Sequence, residues 1–136
     1  MKPTQHPSQL GFPSVLSSSC RPAHTRAKMP EPAGHGYIEL AVQRAWQFVL
    51  DGKKLDIEHG LSVALAGSFG HDAACQAVDL VHSCAGTTAI REDRPFQQYF
   101  RDVHTVRQHA FSSWNRYESV GKLMLGRESD WGFYYL

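Results

Sequence analysis

Residue types able to do chemistry are concentrated in one stretch, Arg101-Asp102-Val103-His104-Thr105-Val106-Arg107-Gln108-His109. On a helical wheel drawn over residues 96–111, Gln98, Arg101, Asp102, Thr105 and His109 share one arc. Phe96, Tyr99, Phe100, Val103, Val106, Ala110 and Phe111 fill the opposite arc, which reads as a core-facing stripe. Asp102 and His109 lie two turns apart, too far for a direct bond along the helix, yet both look onto one surface. By residue type alone, Arg101 reads equally well as an ion-pair partner of Asp102, and His109 as a polar residue at a helix edge. His104 and His109 diverge by about 140° on the wheel, and no His-Glu-x-x-His or paired-cysteine pattern supplies further ligands, so no metal is expected. His71 and His82 stand alone as surface or core-edge residues.

The elements that must position these residues are helical. The first segment runs from Tyr37 to about Leu50, with Ile38, Ala41, Val42, Ala45, Trp46 and Val49 at helical spacing and a stop at Asp51-Gly52. The second runs from Asp56, a natural N-cap, to Ala85, with Gly86 beyond it. Its middle is rich in small residues, including Gly67 and Gly70. Glycine costs a helix roughly 1 kcal/mol relative to alanine, so close approach of another helix or of a flat ligand must compensate. Pro95 opens the third helix, and the fourth spans roughly Ser113 to Leu125 with a stop at Gly126. Every clear pattern has the helical period and none has the strand period. The expected fold is all-α, an antiparallel four-helix bundle.

Residues 1–36 differ from the rest. They hold most of the prolines and a Ser17-Ser18-Ser19 run, with no acidic residue before Glu31. Such a segment is expected to form a disordered tail, leaving 37–136 as one helical domain. The formal net charge is +1. Lys2, Arg21, Arg26 and Lys28 put the positive charge in the tail, so the body is weakly acidic and offers no electrostatic case for nucleic acid. No apolar run approaches the ~18 residues a membrane span needs. Cys75 and Cys84 point to opposite sides of one helix, and reduced thiols in a cytoplasmic protein are expected.

Several linked motifs carry a resemblance. They are Cys84-Ala85-Gly86-Thr87-Thr88-Ala89, then Pro95-Phe96-Gln97-Gln98-Tyr99-Phe100-Arg101-Asp102-Val103-His104, then His109, then Tyr117-Glu118 and Gly121-Lys122-Leu123-Met124-Leu125-Gly126. From about Tyr37 to Arg127 the chain resembles the C-terminal domain of the acyl-CoA dehydrogenase superfamily. It is most similar to the variant in the oxygenase component of two-component flavin-dependent monooxygenases. Gln98 departs from the pattern, a basic residue being common there. True dehydrogenases of this superfamily carry a catalytic glutamate after the arginine that matches Arg101. Here Gln108-His109-Ala110-Phe111 stands at that point with no carboxylate, so the base that removes an α-proton is missing.

The resemblance implies a set of roles. His109 becomes the catalytic residue, donating to oxygen activated on a reduced flavin or holding a phenolic substrate. Arg101, Asp102 and Thr105 become candidate flavin contacts. The cofactor is FMN or FAD, supplied reduced by a reductase, and the substrate is a small aromatic or related organic molecule. The related enzymes are much longer, add an N-terminal helical domain and a middle β-domain, and form homo-oligomers. The chain is therefore expected to be a fragment or one part of a split enzyme, without turnover or tightly held flavin by itself. The alternative is a non-catalytic helical interaction module that keeps the fold.

Overall fold

The computed structural model describes Arg26 and residues 28–132. Four helices make up most of it, and no strand occurs among the described residues. They are α1 (Pro30–Leu50), α2 (Ile57–Ala85), α3 (Phe96–Arg107) and α4 (Asn115–Met124), with a 3-10 turn, Gly86–Ile90, after α2. The expectation for residues 1–25 and 27 lies outside the described residues.

The stops act where the sequence puts them. Asp56 is extended and accepts the His59 N–H at 3.0 Å, a side-chain N-cap for α2. Gly52, Gly86 and Gly126 all take positive φ (74°, 54° and 69°), a region open to glycine at little cost, and each follows a helix end. The start of α1 differs from expectation. It begins at Pro30, inside the stretch assigned to the tail, because proline is tolerated in a first turn whose N–H groups have no intrahelical partner.

Helices α1 and α2 form an antiparallel hairpin. Gly34 faces Gly70 and Ala73 at one end, and the Phe48 and His59 rings meet at 4.3 Å at the other. A Cβ on Gly34 would come to 3.0 Å from Ala73 Cβ and 3.1 Å from Gly70 Cα. Close helix approach thus accounts for the small residues at this crossing. Helix α2 is the hub, since α1, α3, α4 and the 3-10 turn all pack on it. Contacts of Asp72 with Arg107 and of His82 with Phe100 show that α3 also runs antiparallel to α2.

Among the described residues, only small or medium apolar side chains are fully enclosed: Ala41, Ala66, Ala73, Cys75, Ala89 and Val120. Many large ones lie at the surface, with Trp46 62% and Trp114 66% exposed. The apolar stripe expected on α1 is accordingly only partly covered. Ala41 is buried, but Val42, Trp46 and Val49 remain exposed. Cys75 and Cys84 form no disulfide with each other, as their positions on one helix require.

Candidate functional site

Helix α3 and the turn after it carry the sequence-derived residues. Arg101, Asp102, Thr105 and His109 are all exposed, so the polar arc does face outward. The Thr105 hydroxyl donates to the Arg101 carbonyl at 2.8 Å, which leaves its oxygen free to accept. No ion pair joins Arg101 to Asp102 among the described residues, and both side chains are exposed.

The wheel overreaches at its C-terminal end. Helix α3 stops at Arg107, and the His109 N–H bonds back to Val106 O at 2.9 Å in a tighter turn. His109 is therefore presented from a turn and not from the helix surface, and its alignment with Asp102 by helical period does not carry over. Its ring stacks on Phe111 with centroids 5.7 Å apart. The Phe111 N–H reaches His109 Nδ1 at 3.4 Å, a long bond. With Nδ1 accepting, a neutral ring carries its proton on Nε2.

The inner face of α3 is also rotated from the expected one. Phe100 packs between His82 (4.5 Å) and His104 (4.4 Å), and His104 Nε2 meets Asp79 Oδ1 at 2.8 Å. Tyr99, Val106, Ala110 and Phe111, assigned to the core, are instead exposed. The outer face of α3 thus offers apolar surface beside the polar groups.

A buried polar cluster escaped sequence reasoning. Asp72, 8% exposed, pairs its Oδ1 with Arg107 Nη2 at 2.7 Å. Tyr117 also hydrogen-bonds to Asp72, and burial followed by that contact raises the phenol well above its usual range. Burial likewise pushes the Cys75 thiol up, with Arg107 opposing, and the thiol donates toward Val103 O at 3.8 Å. His71 bonds Gly67 O and Ser112. One signal could have found the cluster. Asp72 is a lone charge in a run of Ala, Gly and Cys, and Arg107 follows Phe100 and Val103 at helical spacing.

Two α4 side chains hold the segment beyond the helix: Lys122 bonds Asp130 (2.8 Å) as well as Glu118 (2.9 Å), while the Arg116 guanidinium sits 3.2 Å from the Trp131 ring centre. Trp131 in turn packs on Phe111 at 5.2 Å, so this strap reaches the neighbour of His109.

The geometry is that of an α2-centred helical domain with a polar and half-apolar outer helix, followed by a turn that carries an exposed histidine. Residues 23–114 match the family described as acyl-CoA dehydrogenase, C-terminal domain, and the chain belongs to that family. The match starts well before Tyr37, in keeping with the early start of α1. The chain is also similar to indole-3-acetate monooxygenase of Pseudomonas putida, 24% identical over 96 residues. That alignment covers 71% of this chain but 25% of the relative, so the chain spans about a quarter of the curated protein it matches. No solved structure matches.

A flavin, which the family implies, can be tested against these residues. A planar ring with a phosphate-bearing tail needs an apolar face, a cation and hydroxyl or carboxylate partners. The outer side of α3 has each, in Tyr99 and Val106, in Arg101, and in Thr105 and Asp102. The donor set fits.

Proposed function

We propose that this chain is the C-terminal helical domain of a flavin-dependent oxidoreductase, of the monooxygenase type, that oxygenates a small aromatic or related organic substrate. The observation that carries the reading is His109. An exposed imidazole stands on the turn after α3, at the point in the sequence where the resemblance to true dehydrogenases would put a carboxylate base. The similarity to a monooxygenase supports the same branch.

A reduced flavin, FMN or FAD, supplies the electrons and the activation of O₂ when bound. The chain's own residues do the rest. Arg101 holds an anionic group of the cofactor, while Thr105 and Asp102 accept from its hydroxyls or ring N–H. His109 Nε2–H donates to oxygen at the reacting face or fixes the substrate's own oxygen. The apolar outer side of α3 keeps water away from that face. The domain acts with flavin-binding portions of a larger enzyme, in a cytoplasmic homo-oligomer. The large exposed side chains of α1 and α4 supply apolar surface for those contacts.

A chimera tests the proposal. The 96 aligned residues of this chain replace the corresponding segment of the Pseudomonas putida relative, and the hybrid is supplied with reduced flavin. Oxygenated product supports the reading. A folded, flavin-binding hybrid that only oxidises acyl-CoA, or makes no oxygenated product, sinks it.

The second reading, a helical interaction module without chemistry, draws on the same exposed apolar side chains, Trp46 and Trp114 above all. Self-association of the chain, together with a chimera that cannot bind flavin, would favour it.

A further inference from the structure

Two consecutive residues in the middle of α2 hold the two ends of the turn that carries His109. Before the turn, Arg107 Nη2 lies 2.7 Å from Asp72 Oδ1. After it, Ser112 Oγ lies 3.2 Å from His71 Nε2, and the opposite ring nitrogen, Nδ1, is 2.8 Å from the Gly67 carbonyl oxygen. A carbonyl can only accept, so Nδ1 carries the proton and Nε2 of the neutral ring accepts from the Ser112 hydroxyl. Ser112 is 4% exposed, which keeps water from competing for this bond. The Ser112 and Ser113 N–H groups then donate to the His109 carbonyl at 2.8 and 2.9 Å. Between the ties, Gln108, His109 and Ala110 are all exposed and bury little of their own surface. The shape of the turn must come from its anchors.

We propose that His71 is a positioning residue for His109. Its imidazole, locked between Gly67 and Ser112, acts with the adjacent Asp72 as a two-point clamp that keeps residues 108–113 in one conformation. The inference rests on the reading of His109 as the reacting imidazole, but it concerns only how that imidazole is held. A carbonyl on one helix and a hydroxyl on the next turn are joined here by a rigid ring with one donor and one acceptor. An aliphatic residue fills the space without making the link, and a neutral histidine makes both bonds at once.

Amide hydrogen exchange by NMR on the full chain tests this without any flavin. Ser112→Ala deletes the hydroxyl and keeps the backbone donor. His71→Phe keeps ring volume and deletes both bonds. In either variant the Ser112 and Ser113 amides should exchange about tenfold faster or more, through local opening, while Ala66 and Ala73 in the α1–α2 hairpin keep their rates. In the wild-type chain, ¹⁵N shifts of His71 should place its proton on Nδ1. Unchanged exchange at Ser112 and Ser113 in both variants overturns the clamp, as does a His71 proton on Nε2. Equal acceleration at every amide also overturns it, since His71 would then be a general stability contact. Should the local pattern appear while His109→Ala has no effect on chimera turnover, the clamp stands and the role of His109 fails. The two claims are thus separately decided.

Discussion

Asp72 Oδ1 and Arg107 Nη2 meet at 2.7 Å where α3 crosses α2, with side chains only 11% and 28% exposed. Tyr117 joins the same carboxylate from α4, so one buried charge ties three helices together. Removing one partner leaves the other charge uncompensated and poorly solvated. Arg107→Ala or Asp72→Ala should cost about 3 kcal/mol of stability, the low end for buried pairs because Arg107 keeps some contact with water. Urea unfolding measures it, and a loss under ~0.5 kcal/mol, the scale of exposed pairs, would contradict the finding.

The crossing of α1 and α2 makes opposite predictions for two glycines. Gly34→Ala would press a methyl against Ala73 Cβ and the Gly70 backbone, which can move only with the helices, and should destabilise by about 1–3 kcal/mol. Gly67→Ala meets nothing within 4 Å and should stabilise by up to about 1 kcal/mol through helix propensity. Thermal denaturation of the two variants checks the signs. Equal shifts would argue that the close approach is not real.

The strap after α4 should loosen in acid. Lys122 first, then Ser119, lowers the Asp130 carboxyl from 3.8 to about 2. A carboxylate depressed in the folded chain stabilises it above its unfolded value, here about pH 4, and that contribution is lost as pH falls through about 2. Trp131 lies next to Asp130 and over Arg116, so its fluorescence should report release between pH 4 and 2. Lys122→Ala should shift that change to higher pH. A Trp131 signal indifferent to Lys122 would refute the link.

Helix ends and fold class were legible because they depend on local chemistry. Asp56, Gly52, Gly86 and Gly126 behave as isolated residues of their type behave. What was not legible depends on neighbours. Proline-rich composition and the lack of acidic residues before Glu31 make the stretch before Tyr37 look like a tail until α2 is seen packed against Gly34, so the first turns of α1 fall outside the expected helix. On α3, periodicity groups Phe96, Tyr99, Phe100, Val103 and Val106 on one arc but cannot say which part a neighbour covers. In the fold, α2 takes Phe100, Val103, His104 and Arg107, and Tyr99 and Val106 stay outside. His109 was placed on the wrong element, because the wheel continued past Arg107. The polar clamp beneath it joins residues far apart in sequence, which no local pattern can reveal.

His104 separates structure from chemistry. It faces α2, bonds Asp79 and packs its ring against Phe100, so His104→Ala should lower the melting temperature of the chain while leaving the outer side of α3 intact. In the chimera, it should reduce active enzyme in proportion to unfolding, without raising hydrogen peroxide leakage per turnover. Increased leakage at full folding would move the chemistry toward His104.

The measurement closest to the central claim compares wild type and His109→Ala in the chimeric oxygenase, following product, hydrogen peroxide and unfolding together. His109 is exposed, so the substitution should change stability by about 0.5 kcal/mol or less. Oxygenated product should fall roughly 10²- to 10⁴-fold, the range for a positioned proton donor or acceptor, with reducing equivalents diverted to hydrogen peroxide. Undiminished oxygenation, or a variant that simply unfolds, would contradict the assignment of His109 and the monooxygenase reading built on it.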